Sequence, residues 1–227
     1  MQVSLFKWLG RDFVEIVGQG QDGLAADIAT GQLFGRFEAE LKSHGLSVDD
    51  VVRVRVWGRD RNARTLATAA RSKILTGQRK AASSSFISQQ WFDSGAVVGL
   101  HVLAMKPRND GAERRPVEFE PPRNYLCYLR YDSMLFFSGF TSDASTLEEQ
   151  VPDVTWALAN AFAVAGTTWS KVVKLSIFLQ RKQKIEAVKD LLSKGPKFDV
   201  TDVEFIFVDG FAGEKYLLEI EATALSG

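Results

Sequence analysis

One stretch occurs twice, and any fold for this chain must accommodate both copies. Val51-Val52-Arg53-Val54-Arg55-Val56-Trp57 is matched by Val172-Val173-Lys174-Leu175-Ser176-Ile177-Phe178. Each copy follows a helix-like segment that ends in glycine, Gly45 in the first and Gly166 in the second, at the same spacing. Each is followed by polar residues and then a second helical pattern. Self-similarity at a fixed period decides architecture before local propensity does. A period of about half the chain is too long for a solenoid repeat of 20–50 residues, so it predicts a tandem duplication of one domain.

Length and charge agree with that reading. The 227 residues suffice for one ordinary domain or two small ones. Basic and acidic residues balance at 28 each, so no overall surplus points to nucleic acid. No apolar run approaches the ~20 residues of a membrane-spanning helix. Met1 to Gly10 holds Lys7 inside an alternating pattern and lacks a signal-peptide core. Cys127 is the single cysteine, which permits no internal disulfide and makes a reducing cytoplasm the simplest expectation.

In chain order, Phe13 to Val17 is β-rich and stops at Gly18-Gln19-Gly20. Leu33, Phe37 and Leu41 recur at helical spacing, and Gly45 is placed to end that helix in a left-handed conformation. In the Val51 strand, alternation puts Val52, Val54 and Val56 on one face and Arg53, Arg55 and Trp57 on the other. Leu66, Ala70 and Ile74 mark a second helix; Ser83–Ile87 and Ala96–Ala104 read as strands. Pro107 to Asn124 holds four of the six prolines, which predicts an inter-repeat linker. The order then recurs. Tyr125–Arg130 and Met134–Phe137 are strands, and Leu147, Val151, Val154, Leu158, Phe162 and Ala165 form a helical stripe. Ile185, Val188, Leu191 and Leu192 mark a last helix that Gly195-Pro196 ends. Glu204–Val208 and Tyr216–Leu225 close the chain as strands. Each unit is a small sheet with two helices, a two-layer α+β sandwich, with domains at 1–106 and 125–227 joined by 107–124.

These residues resemble a known family. Met134-Leu135-Phe136-Phe137-Ser138-Gly139, Ala165-Gly166, Lys171-Val172-Val173-Lys174 and Leu218-Glu219-Ile220-Glu221-Ala222 make the second half similar to the Rid/YjgF/UK114 superfamily. The first half is similar but more diverged, through Gly18-Gln19, Gly45-Leu46, Asp50-Val51-Val52 and the Ala96–Ala104 strand. The resemblance implies a chorismate-mutase-like fold whose sheets face inward in three-unit barrels, a homotrimer, and ligand sites between neighbouring units. Members with an active site hydrolyse imines and enamines to ketones and ammonia. The family's active-site tyrosine falls on Tyr125, its Ser-Gly turn on Ser138-Gly139 and its water-positioning glutamate on Glu219. The arginine that grips the substrate carboxylate has no counterpart: Ser84 and Glu204 stand at its positions, or Asp202 if the second half carries an insertion. Gly99 and His101 stand where the second half has Glu219 and Glu221.

Several residues carry chemistry. Glu219 and Glu221 lie two apart on a strand and so share a face; they read either as a base and water-positioning pair or as a solvated, salt-bridged face. His101 reads as a general base or as a hydrogen-bonded structural histidine. Ser84 lies in Ser83-Ser84-Ser85, which has no nucleophile elbow and reads as pocket wall. Cys127 sits in an apolar strand as a core thiol. Arg53 and Arg55 read as ion-pair partners or as contacts to an anionic ligand. His and Cys are too few for a structural zinc site, and Gly18-Gln19-Gly20 is too short for a phosphate loop. The expectation is therefore an enzyme acting on a small carbonyl, imine or enamine metabolite through Glu219 and His101. Tyr125, Ser138, Gly139, Ser84, Glu204 and Glu221 would shape its site. It would need neither metal nor organic cofactor, and no nucleic-acid or membrane partner. The alternative is a binding or scaffold protein that kept the fold without the chemistry.

Overall fold

The computed structural model describes residues 1–108, 112–195 and 202–227. It divides into two compact units, Met1–Asp132 and Ser133–Gly227. The first contains β1 (Gln2–Trp8), β2 (Arg11–Gln19), α1 (Ala26–Ser43), β3 (Val51–Gly58), α2 (Arg61–Ile74), β4 (Ala82–Ile87), β5 (Val98–Lys106), β6 (Arg114–Glu118) and β7 (Leu126–Tyr131). The second contains β8 (Met134–Phe137), α3 (Leu147–Ala165), β9 (Val172–Gln180), α4 (Ile185–Ser193), β10 (Val203–Val208) and β11 (Leu218–Leu225). No described helix is long and apolar enough to cross a membrane.

Both units have the same topology. In the first, β2, β5, β3 and β4 are neighbours in that order, antiparallel except for the parallel pair β3/β4. In the second, β8, β11, β9 and β10 follow the same order, antiparallel except for the parallel pair β9/β10. These sheets are mixed and open rather than closed barrels. In the first unit, the apolar side chains of alternate strand positions pack on helices. Val14, Ile16, Val54, Val56, Leu100 and Val102 share one core with Leu33, Phe37 and Leu41 of α1 and Ala63 and Ala67 of α2.

The repeat extends to an irregularity. Opposite β5, Val51 pairs with Ala104 and Arg53 with Leu103, which leaves Val52 as a bulge. Opposite β11, Val172 pairs with Ala224 and Lys174 with Thr223, which leaves Val173 as a bulge. An extra residue inverts the alternation on its far side. Val51, not Val52, therefore joins Val54 and Val56 in the helix-side core. The helix ends also match. Gly45 and Gly166 are left-handed, with φ of 71° and 69°. Each is followed by the same closure, Leu46 N–H to Leu41 O and Thr167 N–H to Phe162 O, both 2.9 Å.

One helix departs from its apolar spacing and another follows it. The buried stripe of α2 is Ala63, Ala67 and Arg71, with Thr68, while Leu66 is exposed. The helix turns its small residues to the sheet because β3 and β4 lie close beneath it: a Cβ at Gly58 would meet the Arg64 backbone at 2.4 Å. In α3 every residue of the sequence-derived stripe is buried. Its N-terminus is fixed by a reciprocal capping box between Thr146 and Glu149. Pro152 lies inside the helix, beyond the first turn where proline is best tolerated. The close of α4 at Gly195 is described; Pro196 lies outside the described residues.

The proline-rich segment 107–124 carries a strand. β6 pairs antiparallel with β7, Pro116 opposite Leu129. Arg114 ties it to the sheet through the carbonyls of Val51 and Lys80, at 2.8 and 2.7 Å. At the end of β7, Asp132 forms a buried ion pair with Arg11, Nε to Oδ2 3.0 Å, and accepts the Arg108 backbone N–H at 2.8 Å. Burial alone would raise the Asp132 carboxyl, but the Arg108 hydrogen bonds and the Arg11 charge outweigh it and hold it below the usual carboxylate range.

Candidate functional site

The sheet face of the first unit turned away from α1 and α2 carries the polar side chains. Register places His101, Arg55 and Ser84 side by side across β5, β3 and β4. Val17 completes the row on β2, and Glu15 lies one row along. His101 Nε2 is 2.7 Å from Glu15 Oε1, and both side chains are partly exposed, 19% and 34%. A carboxylate accepts only, so the ring proton sits on Nε2 and Nδ1 is the basic nitrogen of the neutral ring. Arg55 and Ser84 are buried. The Ser84 hydroxyl makes no hydrogen bond among the described residues. Val17, Gln19, Trp91 and Ser94 line a cavity of about 520 Å³ at the end of this face. That volume lies in the range of small-molecule sites.

The second unit repeats the row with different chemistry. Glu221, Ser176 and Glu204 lie side by side on β11, β9 and β10. Ser176 Oγ donates to Glu204 Oε1 at 2.5 Å. Lys174 Nζ lies 3.6 Å from Glu204 Oε2 and 3.2 Å from Asp202 Oδ1. Registers thus align Ser84 with Glu204, Arg55 with Ser176 and His101 with Glu221. In the next row Glu219 lies opposite Phe178. Glu219 and Glu221 are both buried, 6% and 1% exposed, so neither belongs to a solvated face. The position aligned with Glu219 is Gly99, and there an indole occupies the space. A Cβ at Gly99 would meet the Trp91 ring at 1.8 Å, and Trp91 stacks on Trp57 at 5.4 Å and 11°.

The other sequence-derived residues divide between the units. Tyr125 belongs to the first. It precedes β7, its ring meets Phe119 edge-on at 5.4 Å, and its hydroxyl accepts from Arg123 Nη1 at 2.9 Å. Ser138 and Gly139 are buried in the second unit, between the Phe136–Thr223 pair and the Phe140–Ile220 bridge. Burial raises the Cys127 thiol to about 11, so it is protonated at neutral pH and is no nucleophile. Glu15, Trp91 and Ser176 were missed by sequence reasoning. Glu15 lies 86 residues from His101, and only the β2/β5 register joins them. Trp91 sits in an irregular segment with no period to read. The described residues contain no cluster of three or more metal-ligating side chains.

No family model matches this chain, and no curated protein matches it by sequence. Solved structures do. The chain is similar to a chorismatase at TM-score 0.67 and 16% identity, covering 98% of this chain and 79% of that one. A YjgF/UK114-family structure from Mycobacterium tuberculosis gives TM-score 0.44 and 22% identity, covering 50% of this chain and 99% of that one. A YjgF-family structure from Neisseria meningitidis gives 0.46 and 18%, covering 51% and 96%. With the shared strand order of its units, the chain has the chorismatase-type fold: two α+β repeats in tandem.

Proposed function

We propose that this chain is an enzyme acting on a small metabolite with carbonyl, imine or enamine character, by proton transfer or water activation. The His101–Glu15 pair carries the reading. Its carboxylate fixes the ring tautomer, so Nδ1 is available to take a proton from carbon or from water. Arg55, next in the row, offers a guanidinium suited to a substrate carboxylate. Ser84 adds a hydroxyl at the arginine position of the resembled family. In the second unit Glu219 takes the water-positioning role that the resemblance assigns it, on a buried strand position. Ser138, Gly139, Glu204 and Glu221 shape that surface, and Tyr125 shapes the edge of the first unit.

Hydrogen–deuterium exchange tests the chemistry without knowledge of the natural substrate. Pyruvate and 2-oxobutyrate are incubated with the protein in D₂O, and loss of the C3 proton signals is followed by NMR. Exchange faster than in buffer, lost in His101→Gln, is the expected result. Binding of the same acids without accelerated exchange would favour the second reading, a non-catalytic binding protein. Trp91 filling the position aligned with Glu219 supports that one, as does the resemblance, which puts Ser84 and Glu204 where the family has arginine.

A further inference from the structure

Arg71 is the most anomalous charge in the first unit. It lies on the sheet-facing stripe of α2 and is 4% exposed. Among the described residues no carboxylate pairs with it. Its hydrogen bonds there both leave one nitrogen, Nη2, to Ser72 Oγ at 3.1 Å and Asn124 O at 3.3 Å. A guanidinium has five N–H donors, and burying it without a counter-charge is costly. Burial, and then the neighbouring charge of Arg64, push its pKa down to about 10. It is therefore still a cation at neutral pH. Arg64 carries a like charge and so adds to the cost; its own Nη2 donates to Ser85 Oγ at 2.5 Å.

The space beside Arg71 has the chemistry of an anion site. Lys80, Ser83, Asn124 and Tyr125 line it together with Arg71, over an apolar floor that includes Leu75 and Leu126. Lys80 is bound to Glu118 at 2.5 Å, so it neutralises no anion alone, and Arg71 supplies the unmatched charge. The free volume is about 10 Å³, room for one water-sized atom. Exposed Asn124 and half-buried Lys80 and Tyr125 stand at its mouth. We propose that this cavity binds a small anion on Arg71, taking a single atom: a halide ion, or one oxygen of a small carboxylate whose remainder lies at the mouth. The site is separate from the His101 face and does not depend on how that face works.

The test is thermal unfolding of the full chain in low-salt Hepes, titrated with sodium chloride or sodium acetate. Sodium Hepes at equal ionic strength is the control for screening. The expected result is a saturable rise of a few degrees with one or both small anions, absent with the bulky control and absent in Arg71→Met. Arg71→Met should melt no lower than the wild type in the buffer without added chloride or acetate, since it removes an unmatched charge at similar volume. A response to acetate alone identifies an organic-acid site; a response to chloride alone identifies an ion site. Should Arg71→Met not fold, ³⁵Cl line broadening on the wild type, displaced by acetate and weakened several-fold in Arg71→Lys, gives the same answer. Equal salt responses in wild type and Arg71→Met overturn the proposal. So does a wild type with neither a saturable shift nor excess line width.

Discussion

Glu219 and Asp132 are both carboxylates in largely buried settings, yet opposite consequences are expected from removing them. Glu219 lies on the strand face away from the residues that pack α3, beside Phe178. Glu219→Gln keeps the shape and removes the base. Once an activity is found, its rate should fall by roughly 10² to 10⁴, with the melting temperature within a few degrees of wild type. Full activity, or outright unfolding, would make Glu219 a structural residue. Asp132 is structural. Its carboxyl lies below the usual range because the Arg108 hydrogen bonds and the Arg11 charge overcome the effect of burial. A depressed carboxyl contributes stability above its unfolded-state pKa of ~3.9 and loses it as pH falls through the folded value. Asp132→Asn strands the Arg11 charge and should cost about 3 kcal/mol at pH 7. In urea unfolding, the gap between variant and wild type should narrow as pH falls from 5 towards 3. A gap that is constant with pH would mean that the carboxylate charge contributes nothing.

At the level of elements, capping and period explain what was legible. Thr146 and Glu149 close the first turn of α3 on each other. Thr146→Ala should cost about 1 kcal/mol, read as a lowered urea midpoint with unchanged slope; no change would mean the cap is replaced by solvent. The duplication was visible because Gly45 and Gly166 sit at the same distance from two β-branched strands, and both are left-handed caps. The α3 stripe was visible because its residues are large and strictly periodic. The Val52 bulge was not, since a one-residue slip leaves no mark on a run of valines. The α2 face was read from Leu66 and Ile74, yet close packing on β3 selected Ala63 and Ala67. His101 could be named from sequence as a base, but its partner Glu15 comes from register between strands far apart in the chain. The buried Arg71 could not be named at all, because arginine on a helix reads as surface.

For the whole molecule, the exposed edge of the first unit bears on assembly. β1 is an edge strand of its sheet, and Leu5 and Phe6 on it are 62% and 40% exposed, with Leu9 just beyond at 38%. An edge strand presents unpaired N–H and C=O groups, and natural proteins blunt such edges with charge, proline or a cover. Between Gln2 and Trp8 only Lys7 is charged, and there is no proline. Burying those side chains in water-free contact is worth roughly 25 cal/mol per Å². Association of identical chains closes most simply with rotational symmetry, which avoids open-ended growth from such an edge. We propose three-fold closure, as the sequence resemblance implies, so the expected species is a trimer of 25.2 kDa chains. Light scattering at micromolar concentration should give that trimer for the wild type. Leu5→Asp, which places a charge on the edge strand at a position that is 62% exposed, should shift it towards monomer while leaving the far-ultraviolet circular dichroism unchanged. A wild type that stays monomeric would defeat the trimer. An unperturbed trimer in Leu5→Asp would move the interface away from β1.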